Sequence, residues 1–462
     1  MTQYVVFIAM IMSILTIQNR GIEQAVLRIW IPFFLAFPFM FFVNIPGLPD
    51  PNFMQMAILP ILFVLIRDRG HEMQFGRMEI LLAMYVVLRV FVDFLSRGYA
   101  DAQNYAFFML SSLIGPYLIG RYLINRREMD VATARMIVVM FLVFFPMFLY
   151  ELKFWVSPVF AIFGKLFPQA WSGLSLRYGL ARTAGTFEHP ILACVMVIIA
   201  YRLHRWLCWY GFYEQPQTGL MAFFQRVGCR LPLPFKHQVS IALILMALMT
   251  ISRGPWIGGF VGAALVAVGN FKNRKRWLMI FAIFFAVGGY GAKSALDYYI
   301  TPQAGEAISG EALTMLYRKE LIDRYKDYMY EKMWTGWGLT TRPKIPGMES
   351  VDNAYLGMAL QHGVLAPGLF LTILAYAILS QIRFGLRAPP SEPPIGFTFS
   401  GIYLMCTISF ATVFMGAQTE PMIFLLLGWG ESIKQRNETH VNPDAGDQKA
   451  ELPAGAFRRV MY

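Results

Sequence analysis

The chain has little charge and almost no cysteine, and each scarcity excludes something. Asp, Glu, Lys and Arg make up only 15% of its 462 residues, well below the roughly 25% of a soluble globular domain. The four cysteines, Cys194, Cys208, Cys229 and Cys406, show no paired metal-ligand spacing, so neither a zinc site nor a disulfide framework is expected. The period-two alternation of transmembrane β-strands is missing too, as is any internal repeat. The first apolar run lacks a basic leader and a small-residue cleavage site, and reads as a retained helix rather than a signal peptide.

What the chain has is apolar sequence, 57% of it hydrophobic, in recurring runs of roughly 10 to 27 residues. An all-α polytopic integral membrane protein is expected, with about 12–13 transmembrane helices and one large external loop containing an amphipathic helix. The spans are 4–16, 25–43, 53–66, 78–95, 106–124, 132–155, 186–201, 239–251, 256–268, 277–292, 354–380, 397–415 and 421–430. Five regions follow from these spans: N-terminal transmembrane helices (1–181), a core with two arginine motifs (182–296), the external loop (297–352), C-terminal transmembrane helices (353–433) and a disordered cytoplasmic tail (434–462) that ends near Arg458-Arg459.

The net charge of +12 reflects Lys and Arg gathered in alternate loops, which gives no reason to expect nucleic acid as a partner. Arg67, Arg69 and Arg77, then Arg126, Arg127 and Arg135, then the basic residues from Arg202 to Lys236, then Lys272–Arg276, then Arg383 and Arg387 share one side. By the positive-inside rule that side is cytoplasmic. Loops 44–51, 97–104, 156–185, 297–353 and 416–420 and the turn at Arg253 are then external, bringing Arg182, Arg253 and the longest loop to one outer face.

Arg253 lies in Ile251-Ser252-Arg253-Gly254-Pro255-Trp256, which interrupts the apolar run 239–268. A charge near membrane depth costs several kcal/mol and usually faces a cavity or water. Gly254-Pro255 predicts a turn with Arg253 at its tip between two short helices. In the long loop Leu313, Tyr317, Leu321, Tyr325, Met329 and Met333 recur every four residues. They form one apolar stripe, fitting either a helix on the membrane surface or a lid. Gly336-Trp337-Gly338 predicts a turn, and Asp352 and Asn353 are natural N-caps for the next helix.

Three stretches together resemble the O-antigen ligase/polymerase family of bacterial envelope glycosyltransferases. They are Arg182 to Pro190, Ser252-Arg253-Gly254-Pro255-Trp256, and the loop carrying Gly336-Trp337-Gly338 and Asp352-Asn353-Ala354-Tyr355-Leu356, followed by Gly363 to Gly368. The resemblance covers about 182–368. It implies an enzyme of the bacterial inner membrane with its site facing the periplasm or cell exterior, and transfer of an undecaprenyl-diphosphate-linked glycan to a sugar hydroxyl without metal or cofactor. Its implied partners are the lipid-linked donor, a glycan or lipid-core acceptor, the bilayer and other polysaccharide-assembly proteins. Ligases of the family typically carry His-Asn or His-Ser where this chain has Asp352-Asn353. That tilts the expectation towards an exopolysaccharide or O-antigen polymerase, with a ligase to lipid A-core as the alternative. A polysaccharide transporter or flippase is the alternative of another class.

Displacing a lipid diphosphate builds negative charge on the leaving group, which positioned guanidinium groups can stabilise. Arg182, Arg253 and Arg318 are the candidates, against plain snorkelling or flanking charge. The acceptor hydroxyl needs a base. Asp352 holds the family position, with helix capping as its plainer role, and His189 is the other candidate, its plainer role being that of a helix-start histidine facing loop polar groups. Asn353, Trp256, Trp334 and Trp337 are further candidates, the indoles for stacking on sugar rings. Glu188 and Glu420 are weaker carboxylate candidates, and His362 is expected to be a hydrogen-bonded packing residue.

Overall fold

The computed structural model describes residues 2–168, 175–300, 310–348, 350–389 and 392–441. In order come α1 (Phe7–Arg20), α2 (22–36), α3 (Phe53–Arg69), α4 (Arg77–Arg97), α5 (99–123) and α6 (Arg127–Phe154). A hairpin of β1 (Ser175–Arg177) and β2 (Leu180–Arg182) follows. Then come α7 (Pro190–Trp209), α8 (Gly219–Gly228), α9 (Phe235–Met249), α10 (Arg253–Val268) and α11 (Arg274–Ile300). The chain continues with α12 (Gly310–Glu331), α13 (Ala354–His362), α14 (Leu365–Arg387), α15 (Ile395–Phe410) and α16 (Thr419–Val441). The protein is all-α and polytopic, as its apolar runs predict.

Among the described residues four helices are long and apolar enough to cross a bilayer, Asp101–Leu123, Arg127–Phe154, Pro190–Trp209 and Leu365–Arg387. Phe235–Met249, Arg253–Val268 and Ile395–Phe410 are apolar but shorter. Helix α4 is long but carries Arg77, Glu79, Arg89, Asp93 and Arg97. Large apolar side chains such as Val87, Phe63, Phe260 and Phe284 stay exposed on the bundle's outside. Those patches suit lipid, since the largest on a soluble monomer are rarely more than a few hundred Å².

Glycines set the closest helix crossings. On α10 Gly258 faces Met405 and Ser409 of α15 and Gly262 faces Gly401, where a Cβ on Gly262 would lie 2.4 Å from the Gly401 carbonyl oxygen. Gly120 and Gly428 bring α5 and α16 together in the same way, with 2.0 Å from a Gly428 Cβ to Tyr117 O. Such small-residue contacts let helix backbones pack where no hydrophobic force acts between helices. Buried ion pairs add specific ties. Asp130 meets Arg436 at 2.8 Å, with Trp429 Nε1 donating to Asp130 at 2.6 Å.

The expected span 354–380 is two helices. Gly363 at φ +78° breaks it, because a Cβ there would lie 2.3 Å from Trp334 O. The 336–338 turn closes this break: Trp337 N donates to Leu360 O at 2.8 Å, Gly338 N to Gln361 O at 2.9 Å, and Val364 N to Met333 O at 2.8 Å. Carbonyls left over at the end of α13 are thereby satisfied. The stripe of α12 packs on protein. Leu321 and Tyr325 are fully buried with Met348, Val351, Leu356 and Leu360, and Tyr317 and Met329 flank them; the Leu313 side chain lies outside the described residues. Helix α16 runs to Val441, past the expected start of the tail, and 442–462, with Arg458 and Arg459, lie outside the described residues.

Candidate active site

The expected external loop 156–185 contains the β-hairpin, which periodicity did not reveal because its strands are three residues each. Tyr178 (φ 56°) and Gly179 (φ 72°) form its left-handed turn, the twist that suits a two-residue hairpin. The hairpin grips the loop between α9 and α10. Thr183 N donates to Met249 O at 3.2 Å. Arg182 donates through Nε to Thr250 O at 3.2 Å and through Nη2 to Ser252 Oγ at 3.0 Å. Arg177 Nη1 donates to Ile251 O at 3.2 Å. The turn itself is at 250–252, with Ile251 at φ 47°, and not at Gly254-Pro255. Those two sit in the first turn of α10, where proline's missing N–H costs nothing. Arg253 is the first residue of that helix, exposed, and its guanidinium donates to the Tyr178 hydroxyl and stands 5.8 Å from the ring centroid.

Around this knot the separate motifs converge. Arg182 feels the charges of Arg177, Arg318 and Asp352, and burial with the neighbouring Arg177 pushes its guanidinium down to about 10. Arg318, on α12, is pushed down by burial and held up in part by Asp352. His189 lies in the same field: burial first, then Arg182, push its imidazole down to about 4, so it is neutral at ordinary pH. Among the described residues Arg177, Arg182 and Arg318 form no ion pair with a carboxylate, and Arg318 Nε has no hydrogen-bond partner. Several guanidinium groups held together without paired anions make a site for an anion.

Asp352 is set for other work than capping. Its neighbour Asn353 caps α13, accepting from Tyr355 N at 3.0 Å and Leu356 N at 3.1 Å. The Asp352 carboxylate accepts from Ser350 Oγ at 2.7 Å. His189 is the N-cap of α7, with Nδ1 accepting from Ile191 N at 3.1 Å, and its ring packs on Phe414. Beside it burial pushes the Glu188 carboxyl up to about 7, against a hydrogen bond from the Ala417 backbone. Trp256 donates to Ala247 O at 3.0 Å. Trp337 donates to Tyr328 O at 2.9 Å and its ring lies 4.3 Å from Lys332 Nζ, whereas Trp334 is exposed. Among the described residues no group of three or more His, Cys, Asp or Glu is placed to hold a metal ion.

The family model described as O-antigen ligase matches residues 238–373. The chain carries an O-antigen ligase family domain. No curated protein matches the chain. The family domain runs from α9 into α14 and includes Arg253, Arg318, Trp337, Asp352 and Asn353. Arg177, Arg182 and His189 lie outside it, so the hairpin completes its cationic cluster and the start of α7 adds a neutral imidazole beside it.

Beside the family domain lies a second polar group, of which the sequence reading singled out Glu420 but not Arg89 or Asp93. Arg89 on α4 is buried and bonds Glu420 at 2.9 Å and the Tyr85 hydroxyl at 2.7 Å. Asp93, one turn on, is also buried. Two ionisable residues four apart in an apolar run were the available signal. Two cavities, about 560 and 290 Å³, both use Arg89, Gln361, Met415 and Glu420 as walls. The smaller one reaches Ser350 and Asn353, on either side of Asp352. His362 is buried and stacks on Tyr105, 5.3 Å between centroids. Contrary to expectation, neither of its ring nitrogens has a hydrogen-bond partner among the described residues.

Proposed function

We propose that the chain is a membrane glycosyltransferase that moves a glycan from undecaprenyl diphosphate to a sugar hydroxyl on the outer face of the bacterial inner membrane, acting as an exopolysaccharide or O-antigen polymerase. The observation that carries this reading is the convergence of Arg182, Arg318 and Asp352, from three separate stretches, beside Arg253 and Arg177. Arg182, Arg253 and Arg318 would hold the diphosphate, taking up its charge without a metal. The acceptor oxygen bonds to the anomeric carbon as the bond from that carbon to the diphosphate oxygen breaks. The lipid diphosphate leaves with the bonding pair, and the acceptor's proton passes to Asp352. His189, neutral and engaged in capping, orients the wall of the site. Asp352 in the place of the ligases' histidine favours a polymerase over a ligase to lipid A-core.

The test is polysaccharide output in a deletion strain complemented with wild type, Arg182→Ala, Arg253→Ala, Arg253→Lys or Asp352→Asn, with membrane levels checked. The proposal expects product to be lost in both alanine variants and in Asp352→Asn, with lysine restoring little because it lacks the bidentate fork. Wild-type output from all four would overturn it and favour a transporter.

A further inference from the structure

The larger cavity has a chemistry opposite to that of the arginine cluster. Asp50, Asp93, Asp101 and Glu420 stand in its walls with a single guanidinium, Arg89, among them. Amides from Gln55, Asn104 and Gln361 and the rings of Phe39, Tyr105 and Phe108 complete it. Its volume of about 560 Å³ falls within the roughly 300–1,000 Å³ of ligand sites. Tyr105 is 6% exposed, and its hydroxyl has no hydrogen-bond partner among the described residues; the same holds for Arg89 Nε. A buried hydroxyl without a partner is costly to the fold, a cost that a bound polar molecule would remove.

We infer that this cavity binds the acceptor: the hydroxyl-rich end of an uncharged glycan, its hydroxyls donating to the carboxylates and its ring faces lying on the aromatic walls. The inference rests on the glycosyltransfer reading and adds where the second substrate sits. Carboxylates and amides are hydroxyl partners, whereas a diphosphate is matched by the forked donors of the arginine cluster. The two cavities share the Arg89–Glu420 wall, and the smaller one ends at the 350–353 segment. A glycan end seated in the larger cavity and continuing through the smaller reaches the 350–353 segment, which carries Asp352.

The experiment uses the full chain in lipid nanodiscs and two probes, bound separately: neutral oligosaccharides released by mild acid from the host's lipid-linked pool, and undecaprenyl diphosphate. Asn104→Trp, which fills the cavity, is expected to abolish oligosaccharide binding and leave lipid binding intact. Tyr105→Phe, which removes only the hydroxyl, weakens oligosaccharide binding by about three- to tenfold. Arg182→Ala does the reverse, losing the lipid and keeping the oligosaccharide. Oligosaccharide binding that is undetectable in wild type, or unchanged in both Asn104→Trp and Tyr105→Phe, overturns the inference. Lipid binding unchanged in Arg182→Ala instead overturns the donor assignment alone.

Discussion

At the scale of single residues the division of labour at 352–353 is the sharpest feature. Asn353 does the capping, and the Asp352 carboxylate instead accepts from Ser350. Asn353→Ala is therefore expected to lower stability by about 1 kcal/mol, seen as a lower melting temperature. Asp352→Asn should leave melting unchanged and abolish transfer. Glu188 gives a pH prediction. Its folded carboxyl titrates near 7 because burial favours the neutral acid, against an ordinary 4.5. The fold thus holds a proton that the unfolded chain releases, and this stabilisation is present below about 4.5 and is lost as pH rises through about 7. The melting difference between Glu188→Gln and wild type should grow in favour of Gln from pH 5 to 8; a constant difference contradicts it. Arg182, Arg253 and Asp352 could be named as candidates from sequence because they fall in an ordered set of motifs, and Arg318 only as one of several basic residues on its helix. Arg177 and Tyr178 could not, since only the hairpin, made of two three-residue strands, brings them to the Arg253 turn.

At the scale of elements the helix positions followed from the apolar runs almost throughout, whereas breaks and crossings depended on contacts distant in sequence. The break at Gly363 forms because a loop 27 residues earlier needs the α13 carbonyls, and no local period records that. The turn at 250–252 preceded Gly254-Pro255 because the hairpin bonds three successive backbone carbonyls there, at Met249, Thr250 and Ile251. Glycine crossings give the test. Gly262→Leu and Gly428→Ala each push a side chain into backbone at under 2.5 Å, so each should cost about 1–3 kcal/mol or more and reduce folded protein in detergent. Gly288→Ala, where nothing lies within 4 Å of an added Cβ, should melt like wild type.

At the scale of the whole molecule, four of the loops that the basic residues assign to the outer face, 44–51, 97–104, 297–353 and 416–420, contribute walls to the two cavities, whereas 156–185 and the Arg253 turn contribute none. The two cavities therefore open at the end of the bundle where the proposed chemistry would take place. The opposite end holds Cys229, exposed beside Arg226 and Arg230. A membrane-impermeant maleimide should leave Cys229 unlabelled in intact spheroplasts and label it once they are permeabilised. Labelling in intact cells would invert the orientation and separate the site from the cell exterior.

The most direct test of the central claim is transfer by the purified protein in proteoliposomes, given a defined undecaprenyl-diphosphate oligosaccharide and followed by glycan lengthening together with release of undecaprenyl diphosphate. The account predicts that wild type yields both products in equal amounts. It also predicts that Arg182→Ala and Arg253→Ala each lose about 10²–10³-fold in rate while staying folded. Release and lengthening at the wild-type rate in both variants would contradict it.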